Sequence, residues 1–99
     1  MKNKFLKIVG ITPEKRYCLS GVYQLFETKG IPLENICDWC WKNNYVPAWD
    51  YFFDDAIKAG LTKEKIKLRI TQAFEYTSDF NDDFILEDAM AQLQKFIRN

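Results

Sequence analysis

The chain carries apolar residues at helical spacing through most of its length. Two segments show the pattern in full, with five apolar residues at i, i+3, i+4, i+7 and i+8, which is the stripe of a helix packed against a core. The two stripes are Leu33, Ile36, Cys37, Cys40 and Trp41 in the first segment and Trp49, Phe52, Phe53, Ala56 and Ile57 in the second. They predict helices over residues 32–43 and 47–59.

Residues that start and stop helices predict three further helices. Thr12 and Pro13 have the residue types of an N-cap and a first helical position, which predicts a helix over residues 13–29. Leu61, Thr62 and Ile66 have the spacing of a hydrophobic staple, so a fourth helix is expected over residues 63–77. A third apolar stripe, near the C-terminus, predicts a fifth helix over residues 82–97.

These elements predict an all-α fold, a compact bundle of about five short helices joined by short turns. No linker or repeat divides the chain, so residues 1–99 are expected to form a single helical domain. The N-terminal segment, residues 1–11, fits neither the helical nor the strand period. A short extended strand and a half-turn packed on the bundle both stay open for this segment.

The composition excludes several classes of function. The chain has 99 residues with 14 Lys plus Arg and 14 Asp plus Glu, so it lacks the global positive charge of non-specific nucleic-acid binders. It has no histidine, which excludes histidine-based catalytic triads and imidazole metal sites. We find no apolar run long enough to cross a membrane and no clear signal segment, so we expect a cytoplasmic protein with no membrane partner.

The three cysteines are expected to be reduced. An odd number of cysteines without a secretion signal argues against a disulfide framework. Cys37 and Cys40 have the C-x2-C spacing of a zinc site, but Cys18 is the only third thiolate available and a closed site needs four ligands. Both also fall within a predicted helix, on its apolar stripe. We therefore expect buried thiols, with no metal and no cofactor.

The sequence gives little support for catalysis. It contains no P-loop, no nucleophile elbow and no glycine-rich phosphate cradle, and it has only four glycines. Its acidic residues lack the spacing of a calcium loop and are explained by helix capping. We therefore expect a protein that is not an enzyme.

Two aromatic residues fall outside the predicted core stripes. Trp39 lies about 130° from the centre of its helix's stripe at about 100° per residue, and Tyr51 falls on the outer side of the next helix. Around Tyr51 lie Asp54, Asp55 and Lys58. Large aromatic residues among polar groups are typical of interface anchors, although the N-terminal segment or the turn at Tyr45 could also cover them.

The sequence therefore favours a small helical protein-interaction module, an adaptor, regulator or inhibitor that docks an aromatic and acidic face on a protein partner or on a second copy of itself. Its predicted partner-binding residues are Trp39, Tyr51, Asp54, Asp55 and Lys58.

The alternative is a nucleic-acid-binding protein of the helix-turn-helix kind, which would use the basic N-terminal segment and the fourth helix. Its phosphate-contacting residues would be Lys4, Lys7, Lys63, Lys65, Lys67 and Arg69.

Overall fold

The computed structural model describes residues 5–75 and 83–98. Within these ranges the chain forms three strands and five helices. In chain order they are β1 (Lys7–Ile11), β2 (Tyr17–Ser20), α1 (Val22–Thr28), α2 (Leu33–Lys42), β3 (Tyr45–Pro47), α3 (Trp49–Lys58), α4 (Lys63–Glu75) and α5 (Asp83–Arg98). The fold is therefore α+β, and the prediction of an all-α helical bundle is wrong.

The strands form one mixed sheet in the order β1-β2-β3. β1 and β2 are antiparallel neighbours, whereas β2 and β3 are parallel and are connected through α1 and α2. The register of β1 shifts between Ile8 and Gly10, which makes Val9 the extra residue of a bulge. β1 is thus one edge of the sheet and carries an irregularity near its centre.

A tight turn and strand β2 replace the first half of the helix predicted over residues 13–29. The amide of Lys15 donates to the carbonyl of Thr12 at 2.8 Å, and Thr12 and Arg16 also pair through their backbones at 2.8 Å. Lys15 has a φ of 64°, the left-handed conformation that closes a three-residue hairpin loop. Because Pro13 suits the second position of a turn as well as the start of a helix, the same residues fit both structures.

The turn is held against α2 by the residue that follows it. The Arg16 guanidinium lies 3.7 Å from the centre of the Trp41 ring and donates a hydrogen bond to the Trp41 carbonyl. It also donates to the Asn44 side-chain oxygen at 3.3 Å, and the Asn44 amide group donates to the Lys15 carbonyl at 3.1 Å. These contacts fix the hairpin at the C-terminal end of α2.

The helices pack their apolar stripes into one core with the sheet. α2 and α3 lie inside the ranges 32–43 and 47–59, and α4 and α5 begin at Lys63 and Asp83. Residues 76, 77 and 82 of the last two expected helices lie outside the described residues. The largest fully buried side chains include Trp49, Phe53, Leu25, Leu33 and Ile36. None of the helices in the described ranges is long and apolar enough to cross a membrane.

Two stretches of backbone pass close together where α1 begins. Gly21 has a φ of 87°, and a Cβ placed there would overlap the Phe5 carbonyl oxygen and lie 2.5 Å from its carbon. Only a residue without a side chain leaves room for this backbone, so Gly21 is required for residues 5 and 6 to pack beside β2.

Candidate functional site

A cleft of about 360 Å³ lies between one face of the sheet and helices α3 and α5. We call it the sheet–helix cleft. All three strands contribute to it, together with the first turn of α3 and one side of α5. Its lining includes Gly10, Cys18, Val46, Asp50, Asp88 and Gln92.

The strand register sets the floor of the sheet–helix cleft. Gly10 is paired with Cys18, and Cys18 with Val46, so the three residues form one row across the sheet. Cross-strand partners share a face, and successive residues alternate between faces. Tyr17 and Tyr45, the adjacent row, therefore lie on the opposite face of the sheet.

The ionisable side chains of the sheet–helix cleft repel one another. Burial raises the pKa of Asp88, and the negative charges of Glu14 and Asp50 raise it further. A hydrogen bond from Gln92 and the charge of Lys95 act in the opposite direction. Asp88 thus lies in a partly dehydrated, negative site, where a cation would stabilise its ionised form.

Two of the three thiols have raised pKa values. Burial raises the pKa of Cys18, and the charges of Asp88 and Asp50 add to the effect, so the protonated thiol is favoured in the cleft. Burial raises the pKa of Cys40 to about 12, and Cys37 is also fully buried. None of the three cysteines forms a disulfide. In the described part of the chain, no three histidine, cysteine or carboxylate residues group as metal ligands.

Tyr51 borders the sheet–helix cleft and begins an acidic surface on α3. Its side chain is 45% exposed, and a second concavity of about 280 Å³ is lined by Asp50, Tyr51 and Asp54. Asp54 forms an exposed ion pair with Lys58 at 2.9 Å, one helical turn away. Asp55 lies beside them and is half-buried. The structure thus brings together four of the five predicted partner-binding residues.

Trp39, the fifth, lies elsewhere. Its ring stacks on Tyr45 with centroids 5.3 Å apart and planes at 21°, and Tyr45 contacts Tyr17 at 6.2 Å. These rings occupy the face of the sheet opposite the cleft that Tyr51 borders. The strand containing Tyr45 covers Trp39, which leaves the ring half-buried. Trp39 therefore packs α2 on β3 and is separate from the Tyr51 surface.

The predicted phosphate-contacting residues are divided between two elements. Lys7 is exposed on β1, which packs mainly on β2, whereas α4 packs mainly on α2, α3 and α5. Lys4 lies outside the described residues. The α4 cations are Lys63, Lys65, Lys67 and Arg69.

A helix-turn-helix element needs two helices joined by a short turn, and α2 and α3 do not form one. The segment between α2 and α3 contains strand β3, which pairs with β2, so these helices are not joined by a simple turn. Binding of nucleic acid by other surfaces stays a prediction.

Sequence reasoning missed the cleft because its carboxylates are distant in sequence. In the sequence, Asp50 is one acidic residue of the α3 segment, and Asp88 is one of several acidic residues near the start of α5. No local pattern signals that α5 returns beside the sheet and places Asp88 near Asp50. The chain matches no protein-family model, no curated protein and no solved structure.

Proposed function

We propose that this chain is a non-enzymatic protein-interaction domain that binds a basic protein partner through the Tyr51 surface of α3 and the sheet–helix cleft beside it. The observation that carries the proposal is the position of Tyr51, which is exposed between two concavities lined by carboxylates. Tyrosine buries a large area at a small entropy cost, and it is frequent among interface anchors.

The charges around Tyr51 select the chemistry of the partner. Asp50 belongs to both concavities, Asp88 to the cleft and Asp54 to the smaller concavity. No lysine or arginine of the described residues lines either one. A partner that presents lysine or arginine gains favourable Coulomb energy and a faster association rate.

Binding accounts for the cleft better than catalysis does. A nucleophilic cysteine needs a lowered pKa, whereas the pKa of Cys18 is raised by burial and by two carboxylates. The chain also has no histidine to act as its base. The domain needs no cofactor for the proposed role. Three cysteines that form no disulfide fit a reducing compartment, and we propose the cytoplasm as its location.

The test is affinity capture from lysate of the source cells, run in parallel with and without nuclease treatment, with wild-type protein and surface variants as bait. We expect a partner that is retained by the wild type and lost with Tyr51→Ala or Asp54→Asn.

The matched control is Asp38→Asn. Asp38 is also exposed on a helix and also pairs with a lysine four residues later at 2.9 Å, but it lies on α2. Loss of capture with Asp38→Asn to the same extent would refute the assigned surface. Loss of every partner on nuclease treatment would favour the nucleic-acid alternative.

A further inference from the structure

β1 is an apolar strand at an exposed edge. All five of its residues are exposed, and Ile8 and Ile11 each keep 58% of their surface accessible. On its inner side β1 pairs with β2, and no residue within 5–75 or 83–98 pairs with its outer side. An edge strand presents a row of unpaired N–H and C=O groups, which natural proteins usually protect with charges. β1 has a single charged residue, Lys7.

The shape of this edge limits what can pair with it. A five-residue strand is about 17 Å long, which is short for a symmetric interface that needs about 800 Å² from each partner. The bulge at Val9 also interrupts a continuous ladder. A short linear segment fits such an edge better than a second copy of the whole domain.

The charge beside the edge indicates the composition of that segment. Gly10 belongs to the row that forms the floor of the sheet–helix cleft, so the residue opposite Gly10 on an added strand points to the same face. There it approaches the cleft that contains Asp50 and Asp88. Since Gly10 has no side chain, the entrance from the edge is open.

We propose that β1 is a strand-addition site for an extended, basic segment of a protein partner, in which a lysine or arginine faces the sheet–helix cleft. Backbone hydrogen bonds along β1 supply binding that is independent of sequence, and the carboxylates of Asp50 and Asp88 select the basic side chain. Apolar residues at the alternate positions pack on the side of Ile8 and Ile11. This inference rests on the proposed function, because it specifies how the basic partner binds.

The probe is an acetylated and amidated seven-residue peptide in which lysine and valine alternate. Two control peptides replace its lysines by glutamate, or methylate alternate backbone nitrogens so that the strand cannot pair. Binding is measured on the full chain by amide chemical shifts in a titration. We expect the lysine peptide to shift the amides of Val9, Gly10 and Ile11, and both control peptides to bind at least tenfold more weakly.

Two variants test the geometry of the cleft. Asp88→Asn removes one charge and is expected to weaken binding of the lysine peptide at least about fivefold, the value of one Coulomb contact near 4 Å in bulk water, because the site is partly dehydrated. Gly10→Val fills the entrance and is expected to abolish binding. The variant has room to fold, because a Cβ at Gly10 meets nothing closer than the Cys18 Cβ at 4.0 Å. The control Asp38→Asn is expected to leave the affinity unchanged.

Three results would overturn the strand-addition site. They are equal affinity for the glutamate or methylated peptides, shifts confined to the outer side of α3, and shifts of β1 that follow protein concentration without peptide. The last result would identify a second copy of the chain as the occupant. None of them affects the capture test with Tyr51→Ala, so the proposed function can stand when this inference fails.

Discussion

Replacing Gly21 by alanine tests the close approach of the Phe5 backbone to the start of α1. Two costs combine at this position. An L-residue in the left-handed region costs about 1–2 kcal/mol, and the added Cβ would lie 2.5 Å from the Phe5 carbonyl carbon, where about 3.5 Å is the closest favourable distance. The Phe5 backbone must therefore retreat by about 1 Å, and forced repacking of this kind costs about 1–3 kcal/mol. We expect Gly21→Ala to lower the free energy of unfolding by about 2–5 kcal/mol.

Gly60 provides the control for the first of these costs. Its φ is 98°, close to that of Gly21, but a Cβ there meets no atom within 4 Å. Gly60→Ala should therefore cost about 1–2 kcal/mol, the conformational part alone. Urea unfolding followed by tryptophan fluorescence measures both variants against the wild type. Equal losses for the two variants would refute the argument that Phe5 packs against Gly21.

Three further predictions concern the turn, the thiols and the cleft. Lys15→Gly should stabilise the fold by about 0.5–1 kcal/mol in urea unfolding, because Lys15 has a positive φ; a loss of stability would contradict the hairpin turn. At pH 8 a thiol reagent should label Cys18 well before Cys40, whose pKa is about 12, as followed by mass spectrometry; equal rates would contradict the burial of Cys40. The raised pKa of Asp88 means that its ionisation destabilises the fold as the pH rises above about 3.8. Asp88→Asn should thus stabilise the protein more at pH 7 than at pH 3 in urea unfolding, and an equal effect at both pH values would contradict the dehydrated site.

The helices that build the core could be predicted because their signals are local. In α2 and α3 the apolar stripe matches the buried side, and Leu33, Ile36, Trp49 and Phe53 are all fully buried. At the end of a helix the apolar stripe no longer predicts which residue is buried. Ile57, the last residue of the second stripe, is 40% exposed because α3 ends one residue later.

The sheet could not be predicted, because each sequence feature that marks it also fits a helix. Thr12 and Pro13 fit a helix start and a turn equally well, and the left-handed turn position holds Lys15, where glycine or asparagine would have indicated a hairpin. β3 has only three residues and pairs with a strand 28 positions earlier, Tyr17 with Tyr45. Such non-local pairing depends on tertiary contacts, as does the meeting of Asp50 and Asp88 in the cleft.

The hairpin of β1 and β2 is anchored at both ends, and this affects the entropy of binding. Before β1, Phe5 and Leu6 pack against the core, and after the turn Arg16 is clamped between Trp41 and Asn44. The edge is therefore ordered before any partner arrives. When a segment pairs with it, the loss of conformational freedom falls almost entirely on that segment, at about 1–2 kcal/mol for each residue fixed. A partner whose segment is already extended, for example in a rigid loop, would avoid much of that loss and bind more tightly than a disordered tail of the same sequence.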